Sequence, residues 1–148
     1  MRGEDTSRLR GAGLRVTAPR LAVLAAVRAG GHPTAEEIAG RARTRVGTLS
    51  LQAVYDALRA FDGLGLVRRI EPMGHPARYE TRVGDNHHHL ACRFCGAVTG
   101  VDCASGAVPC LEPADSAGYA VDKADVTYWG VCPRCQDRGR ALRRDSAR

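Results

Sequence analysis

Three histidines directly precede a cysteine pair in the stretch His87-His88-His89-Leu90-Ala91-Cys92-Arg93-Phe94-Cys95. A second C-x-x-C pair, formed by Cys132 and Cys135, lies near the C-terminal end of the chain. Two such pairs supply four thiolates for the closed tetrahedral arrangement that structural zinc occupies in proteins. The 36 residues between the pairs exceed the roughly 15–20 of a compact zinc ribbon. We therefore expect zinc to staple a small domain, with a redox-active dithiol pair as the main alternative.

The histidine run predicts a second metal site with different chemistry. Alternate side chains of a strand share a face, so His87 and His89 are expected to point one way and His88 the other. Two imidazoles make half of a metal site, and Glu80 and His32 are the candidate ligands elsewhere in the sequence. Imidazoles with a carboxylate suit Fe(II), Mn(II), Zn(II) or Ni(II). The alternative is a histidine run that lies on the surface and binds nothing.

Basic residues are concentrated in the first half of the chain, whose net charge as a whole is +6. Residues 1–84 carry a surplus of +6, residues 85–137 carry −4 and residues 138–148 carry +4. A basic domain followed by an acidic one is typical of a nucleic-acid-binding protein with a separate assembly or sensing module, because phosphate contacts are concentrated on one face. A solvated arginine-rich surface is the alternative, since 21 of the 22 basic residues are arginine.

Three helices are predicted in the basic half from their start signals. Thr17 followed by Pro19 predicts the first helix, and Thr34 with Glu37 has the spacing of a capping box for the second. Ser50 is placed to cap the third. The apolar positions of that third helix follow the i, i+3, i+4, i+7 rule and are Leu51, Val54, Tyr55, Leu58 and Phe61.

Two short strands are predicted after these helices, at residues 66–70 and 77–81, around a turn at residues 73–76. Three helices and a β-hairpin compose a winged helix-turn-helix, whose third helix enters the major groove of DNA. A small α+β domain without a DNA role would share this pattern.

The predicted fold class is α+β, with a winged helix-turn-helix domain followed by a small α/β dimerisation domain stapled by zinc. In the second domain, residues 87–92, 97–102 and 119–129 are expected to form short strands, and residues 106–118 an excursion rich in proline and glycine. The last eleven residues are arginine-rich and predicted to be disordered. The predicted boundaries are 1–81 for the DNA-binding domain, 82–86 for a hinge, 87–137 for the dimerisation domain and 138–148 for the tail.

The sequence predicts a location in the cytoplasm and two cysteines that are not zinc ligands. The chain has no apolar run long enough to span a bilayer and no secretory signal at its start, so we expect a cytoplasmic protein. Six cysteines in a reducing compartment favour ligands or thiols over a disulfide framework. Cys103 and Cys110 are expected to be unpaired thiols, with a switchable disulfide or an additional metal ligand as alternatives.

Residues 8–137 resemble the ferric uptake regulator family of metal-dependent repressors. The segments that carry the resemblance are Gly13-Leu14-Arg15-Val16-Thr17-Ala18-Pro19-Arg20, His32-Pro33-Thr34-Ala35-Glu36-Glu37-Ile38, Gln52-Ala53-Val54-Tyr55, Gly65-Leu66-Val67 and the histidine run with Cys92 and Cys95. More narrowly, the chain is similar to the actinobacterial subgroup that represses catalase-peroxidase genes. The segments that support the subgroup are Gln52-Ala53-Val54-Tyr55-Asp56, Arg78-Tyr79-Glu80, residues 83–89, Asp102-Cys103 and Tyr128-Trp129-Gly130.

The resemblance implies a homodimer that binds palindromic operator DNA when its regulatory metal, Fe(II) or Mn(II), is present. The family's regulatory ligands correspond to His32, Glu80, His87 and His89. Its structural zinc ligands correspond to Cys92, Cys95, Cys132 and Cys135. The residues expected to contact DNA are Arg15, Arg20, Gln52 and Tyr55. In peroxide-sensing members, Fe(II)-dependent oxidation of a ligand histidine, here His32 or His87, abolishes DNA binding.

Three departures from the family pattern bear on the prediction. Many members have an acidic ligand where this chain has Gly100, and Asp102 is the candidate substitute. Asn86 and Ala124 stand where some members have the histidines of a further metal site. Asp56 replaces the usual arginine or asparagine after the recognition-helix tyrosine, and a carboxylate there repels phosphate but can accept from a cytosine amine.

The leading functional hypothesis is a metal-dependent repressor that senses iron or peroxide and controls oxidative-stress genes such as catalase-peroxidase. A zinc- or nickel-responsive repressor of the same fold is the first alternative. A metal-buffering protein and a hydrolytic metal centre come from other classes. The second of these would need a positioned base and a substrate pocket, which the sequence does not indicate, so no enzymatic activity is predicted.

Overall fold

The computed structural model describes residues 2–85, 87–102, 113–121 and 124–145. The chain divides into two compact units, Met1–Gly84 (unit 1) and Asp85–Arg148 (unit 2), and this division falls within the segment 82–86 that was predicted to be a hinge. The elements in chain order are α1 (Arg2–Gly11), α2 (Ala18–Arg28), α3 (Ala35–Val46), α4 (Leu51–Gly63), β1 (Arg68–Ile70), β2 (Arg78–Glu80), β3 (His87–Cys92), β4 (Val98–Asp102), β5 (Thr127–Gly130) and α5 (Pro133–Asp145).

The three predicted helix starts in unit 1 are confirmed by their caps. The Thr17 side chain accepts from the Arg20 amide at the start of α2, and the Ser50 side chain accepts from the Ala53 amide at the start of α4. At α3 the capping box is complete, because the Glu37 carboxylate accepts from the Thr34 amide at 2.8 Å and the Thr34 hydroxyl accepts from the Glu37 amide at 3.3 Å. Each cap satisfies amides that the first helical turn leaves without a partner.

Helix α1 is an element that the sequence reasoning did not assign. Its mean composition is strongly polar, yet Leu9 is fully buried and Asp5 is only 2% exposed. Arg28 of α2 donates to both carboxylate oxygens of Asp5 at 2.8 Å, and Arg8 donates to the Leu66 carbonyl at 2.9 Å. A buried ion pair and one leucine therefore dock this helix, a signal that hydrophobic periodicity does not reveal.

The predicted hairpin is confirmed as the antiparallel pair of β1 and β2. Its register sets Arg68 opposite Glu80 and Ile70 opposite Arg78. Helices α2, α3 and α4 bury their apolar faces against each other and against the start of this hairpin, which together compose the winged helix-turn-helix. The buried cluster of unit 1 comprises Leu9, Ala22, Val23, Leu24, Ala26, Val27, Ala35, Ile38, Ala39, Ala42, Leu49, Val54, Ala57, Leu58, Phe61, Leu66, Val67 and Tyr79.

Unit 2 is built on a three-stranded sheet in the order β4-β3-β5. Strand β3 pairs antiparallel with β4 and parallel with β5. The expected strand at 119–129 is shorter in the structure, because β5 covers only Thr127–Gly130 and pairs with His89–Cys92 of β3. The predicted excursion at 106–118 and the thiols Cys103 and Cys110 lie largely or wholly outside the described residues.

The predicted disordered tail at residues 138–148 needs correction. Helix α5 begins at Pro133 and continues to Asp145, so residues 138–145 are helical, and residues 146–148 lie outside the described part of the chain. Proline is favoured in the first helical turn, and arginine, leucine and alanine are good helix formers. A high charge density alone was a poor guide to disorder here. None of the helices in the described residues has the length and apolarity needed to cross a membrane.

Candidate metal centres and nucleic-acid interface

The four paired cysteines lie together in unit 2. Cys92 ends β3 and Cys95 follows in the next turn, while Cys132 and Cys135 flank the start of α5. Their Sγ atoms all lie within 4.8 Å of one another, and those of Cys95 and Cys132 are 3.6 Å apart. A tetrahedral zinc with ligands at about 2.3 Å separates its sulfurs by about 3.8 Å. The quartet therefore fits a structural zinc site, as the spacing of the two pairs predicts.

The backbone around the quartet favours thiolate over thiol at its buried member. Burial raises the pKa of Cys92, but backbone amides, above all that of Cys132 at 3.3 Å, donate to its Sγ and bring the pKa down to about 6. The hydrogen bond with the Cys132 side chain, together with burial, raises the pKa of Cys135 to about 12. A dication among the four Sγ atoms would stabilise all of them as thiolates, because cysteine binds a metal in its deprotonated form.

The redox alternative fits the quartet less well. All four cysteines are free thiols, and their Sγ contacts run within each pair, between Cys92 and Cys95 and between Cys132 and Cys135, and also across the pairs, between Cys95 and Cys132 at 3.6 Å. A disulfide needs sulfurs about 2.05 Å apart. Four thiols gathered in one place are expected of a metal cage, whereas a redox dithiol needs only one pair.

Unit 1 holds the first half of the predicted regulatory site. Nε2 of His32 lies 3.0 Å from Oε2 of Glu80, and both side chains are largely buried. Ligands at about 2.1 Å on neighbouring corners of an octahedron are themselves about 3.0 Å apart. The pair therefore has the separation that two ligands of one divalent ion would have.

The backbone of the loop before α3 is strained at His32. Its φ is +47°, in the left-handed region that favours glycine, and it follows Gly30 and Gly31, both at +84°. The loop is tied to strand β2 because Arg78 donates to the His32 carbonyl at 3.0 Å and the Tyr79 amide donates to the Pro33 carbonyl at 3.0 Å. Strain of this kind persists only when its surroundings impose it, and it is concentrated at functional sites.

Unit 2 holds the second pair of predicted regulatory ligands on strand β3. The rings of His87 and His89 meet edge to face with centroids 4.7 Å apart, while His88 contacts Tyr128 at 5.9 Å. The predicted division of the three histidines between two faces is confirmed. All three are at least 95% buried, which argues against a histidine run that merely covers the surface.

Asp85 contacts the candidate ligand His87, and the sequence reasoning did not identify it. Its Oδ1 lies 2.7 Å from Nδ1 of His87. A carboxylate on Nδ1 orients an imidazole to bind a metal through Nε2 and increases its basicity. The available signal was the acid two residues before the histidine run.

Strand β4 carries Gly100, where many family members have an acidic ligand, and Asp102, the candidate substitute. Gly100 lies opposite His89, and Asp102 lies opposite His87. Directly opposed residues of an antiparallel pair point to the same face, so Asp102 shares a face with both predicted ligands. It is exposed at the end of β4, two residues from the glycine.

The candidate DNA-binding residues lie on exposed parts of unit 1. Helix α4 buries one side, formed by Val54, Ala57, Leu58 and Phe61. Its opposite side presents Gln52 and Tyr55 to solvent, and Tyr55 is 42% exposed. Arg15 is exposed on the segment before α2, and Arg20 donates to its carbonyl at 2.8 Å. The arrangement presents one helix and one basic segment as a reading surface, as a winged helix-turn-helix requires.

A groove of about 690 Å³ separates the exposed side of α4 from the hairpin. Its lining includes Tyr55 and Arg59 on the helix, and Arg69 and Tyr79 on the strands. Burial raises the pKa of Tyr79, although its hydrogen bond with Arg69 acts in the opposite direction. That bond joins the two strands of the hairpin, on which Arg69 lies opposite Tyr79.

Comparison with known proteins places this arrangement among regulators. A model of the ferric uptake regulator family matches residues 11–128. Transcriptional regulator FurA of Mycobacterium tuberculosis is 55% identical over 127 residues, which is 86% of each chain. Peroxide-responsive repressor PerR of Staphylococcus epidermidis is 28% identical over 142 residues, covering 92% of this chain and 91% of the relative. The structure of the ferric uptake regulator from Pseudomonas aeruginosa with manganese superposes with a TM-score of 0.69 at 28% identity, covering 87% of this chain and 98% of that one.

Proposed function

This chain belongs to the ferric uptake regulator family, and we propose that it is a metal-dependent transcriptional repressor that binds palindromic operator DNA as a homodimer. The observation that carries the proposal is the capped helix α4, which presents Gln52 and Tyr55 to solvent in the same basic unit that holds the His32–Glu80 pair. A protein that only buffered metal would not need such a reading surface. A two-fold dimer matches a palindrome because each protomer reads one half-site.

The two metal centres would have separate tasks. Zinc at Cys92, Cys95, Cys132 and Cys135 has no open coordination position and would be structural. His32 and Glu80 of unit 1, with His87 and His89 of unit 2, are proposed as the ligands of one regulatory ion, Fe(II) or Mn(II). Ligands drawn from both units would couple occupancy to the arrangement of the DNA-binding units, since only some arrangements bring all four together. Asp102 is the proposed additional carboxylate, on the face it shares with His87 and His89.

Iron or peroxide is the proposed signal, and oxidative-stress genes such as catalase-peroxidase are the proposed targets. Support comes from the 55% identity to a transcriptional regulator named FurA and the 28% identity to a repressor named as peroxide-responsive. Bound Fe(II) would supply the reactivity with peroxide, and His32, His87 and His89 are the imidazoles that would hold it. A zinc- or nickel-responsive repressor is the alternative that keeps the same ligands. We propose no enzymatic role, since each observed ligand set is accounted for by structure or sensing.

The test measures DNA binding by the zinc-loaded protein to duplexes selected from a random library with added Mn(II), Fe(II), Zn(II) or Ni(II) in separate selections. Binding is expected to need Mn(II) or Fe(II), and the Fe(II) form is expected to lose it after peroxide while the Mn(II) form keeps it. Activation by Zn(II) or Ni(II) but not by Fe(II) or Mn(II) would favour the alternative. An affinity for DNA that none of these treatments changes would contradict the sensing proposal.

Substitutions in the histidine run sharpen the site assignment. His87→Ala and His89→Ala are each expected to raise the Mn(II) concentration needed for half-maximal DNA binding by at least about tenfold, because each removes a proposed ligand. His88→Ala is the matched control, since His88 contacts Tyr128 on the other face of the same strand. His88→Ala is expected to keep the metal response when it is assayed at a temperature at which the variant and the wild-type protein are both folded. An equal loss in all three variants would show that the run acts through stability and not through ligation.

A further inference from the structure

The exposed side of α4 carries a three-residue network centred on Asp56. Oδ1 of Asp56 accepts from Nε2 of Gln52 at 2.9 Å and from Nη2 of Arg59 at 3.0 Å. The spacings i, i+4 and i, i+3 place all three on one stripe of the helix beside Tyr55. The side chains of Asp56 and Arg59 are 63% and 72% exposed, so the network lies on the surface that would face DNA.

Stability of the helix does not account for the acid. Exposed pairs at these spacings contribute only about 0.2–0.5 kcal/mol to a helix. In a DNA-binding surface, the same carboxylate repels phosphate and so weakens sequence-independent binding. An acid at this place therefore lowers the affinity for non-specific DNA, and its contacts with Gln52 and Arg59 indicate what it contributes instead.

The hydrogen bond from Gln52 has a consequence for base recognition. A glutamine amide has two N–H donors and one acceptor oxygen. When one N–H is given to Asp56, the other N–H and the Oε1 atom remain for a base edge, and together they match the N7 acceptor and N6 donor of adenine. Turning the amide over would set Oε1 against the carboxylate, so Asp56 selects the orientation in which Gln52 can read adenine.

The contact with Arg59 affects sequence-independent binding to the DNA phosphates. An unrestrained arginine beside a recognition helix is an efficient phosphate ligand, and each phosphate contact adds about 0.9 to the salt dependence of binding. Asp56 holds the Arg59 guanidinium along the helix and neutralises it. Two neighbours of one carboxylate are thus biased away from sequence-independent contacts.

We propose that Asp56 is a specificity-determining positioning residue, which orients Gln52 to read an adenine in each half-site and restrains Arg59 from general phosphate binding. The inference rests on the proposed DNA-binding function. It goes beyond that function by assigning a base preference and by giving a role to an acid that phosphate repulsion alone would disfavour.

The experiment uses the full-length Mn(II)-loaded protein and a random duplex library. Wild-type protein is expected to select an A·T pair at one equivalent position of each half-site. Asp56→Ala is expected to lower the ratio of affinities for the selected and scrambled duplexes by about twofold, because Gln52 loses the roughly 0.2–0.5 kcal/mol that favours its reading orientation. It is also expected to bind a scrambled duplex more tightly, with a salt slope steeper by about 0.9 for each freed Arg59.

Three further variants separate orientation from charge. Asp62→Ala removes an exposed acid from the same helix and makes the same change in net charge, so it is the matched control. Asp56→Asn keeps an acceptor for Gln52 and is expected to retain the A·T preference while the salt slope rises. Gln52→Ala is expected to lose the A·T preference, and Asp56→Ala is expected to lower specificity no further in that background, because Asp56 acts on the base only through Gln52.

The outcomes distinguish this inference from the function on which it rests. A wild-type protein that selects no duplex under any metal would overturn the proposed function, and the inference with it. A wild-type protein that selects an operator, while Asp56→Ala changes specificity and salt slope no more than Asp62→Ala does, would overturn the inference alone. Circular dichroism of each variant checks that the helices remain folded.

Discussion

Unit 1 and unit 2 are stabilised in different ways. Unit 1 gathers 18 buried residues from four helices and a hairpin into one cluster, with Phe61, Leu24 and Ile38 fully enclosed. In the described part of unit 2, the buried hydrophobic residues are Ala91, Cys92 and Val98. The free energy of folding from apolar burial rises with the area removed from water, at about 25 cal/mol per Å². Unit 1 can therefore draw on a core, whereas the described residues of unit 2 offer almost none.

The difference indicates why unit 2 needs structural zinc and unit 1 does not. A small domain with little core needs a metal, a partner subunit or both to offset the entropy lost on ordering its chain. The cysteine quartet and the proposed dimer supply these. Unit 1 has the core to support a strained loop at His32 and an exposed reading helix, which are features that cost stability.

Removing the zinc is the change expected to break unit 2 most completely. Cys95→Ser deletes a ligand at an exposed position, so little apolar burial is lost with it. Because the binding energy of a structural zinc is folding energy, unit 2 is expected to unfold while the helices of unit 1 persist. Trp129 is the only tryptophan in the chain, so its fluorescence reports on unit 2 alone. Metal content and far-ultraviolet circular dichroism complete the measurement.

The control for this substitution is Cys103→Ser, which lies outside both cysteine pairs. It is expected to keep one tightly bound zinc for each chain and the wild-type Trp129 emission. If Cys95→Ser also kept both, the quartet would not be the support of unit 2.

Truncating the core should destabilise unit 1 and spare unit 2. Phe61→Ala removes a fully buried ring and is expected to lower the free energy of unfolding by about 3–5 kcal/mol. The other phenylalanine of the chain, Phe94, is 73% exposed, so Phe94→Ala is a control of identical chemistry expected to cost less than about 0.5 kcal/mol. Urea titrations followed by circular dichroism measure both. Similar losses from the two substitutions would contradict the assignment of the core.

A smaller effect is expected where α1 docks on α2. Asp5→Asn keeps the shape of a buried side chain but removes the charge that pairs with Arg28, and the loss is expected to be about 1–3 kcal/mol. Glu4→Gln neutralises the exposed neighbouring acid and should change the stability of unit 1 by less than about 0.5 kcal/mol. Limited proteolysis should cut the N-terminal helix faster in Asp5→Asn than in Glu4→Gln. A larger effect from Glu4→Gln would mean that the ion pair does not dock the helix.

Local signals allowed most of the elements to be predicted. Caps at Thr17, Thr34 and Ser50 act within four residues, so their sequence signatures were sufficient for the helix starts. The alternation of the histidines along β3 was likewise a local property. Helix α1 was missed because its docking depends on Arg28, which is distant in sequence. Helix α5 was missed because its high charge density is typical of disorder, although arginine, leucine and alanine are good helix formers.

The residues of the candidate site could be proposed from the sequence, but their geometry could not. The cysteine quartet followed from spacing, and the four regulatory ligands from a resemblance that strand alternation supported. The role of Asp85 beside His87, the left-handed backbone at His32 and the Asp56 network needed coordinates. Each depends on a side-chain orientation that several rotamers of the same sequence would permit.

The sequence by itself determined the helix starts and the residue types available as metal ligands, because ligand types, capping residues and periodicity are encoded over a few neighbouring positions. Tertiary structure alone decided which of these residues meet. It brought Cys92 and Cys132 together across 40 residues, and His32 and Glu80 across 48. It also set the Asp56 carboxylate between Gln52 and Arg59. The physical reason is that such contacts depend on packing and hydrogen bonding summed over each whole unit, which no local pattern specifies.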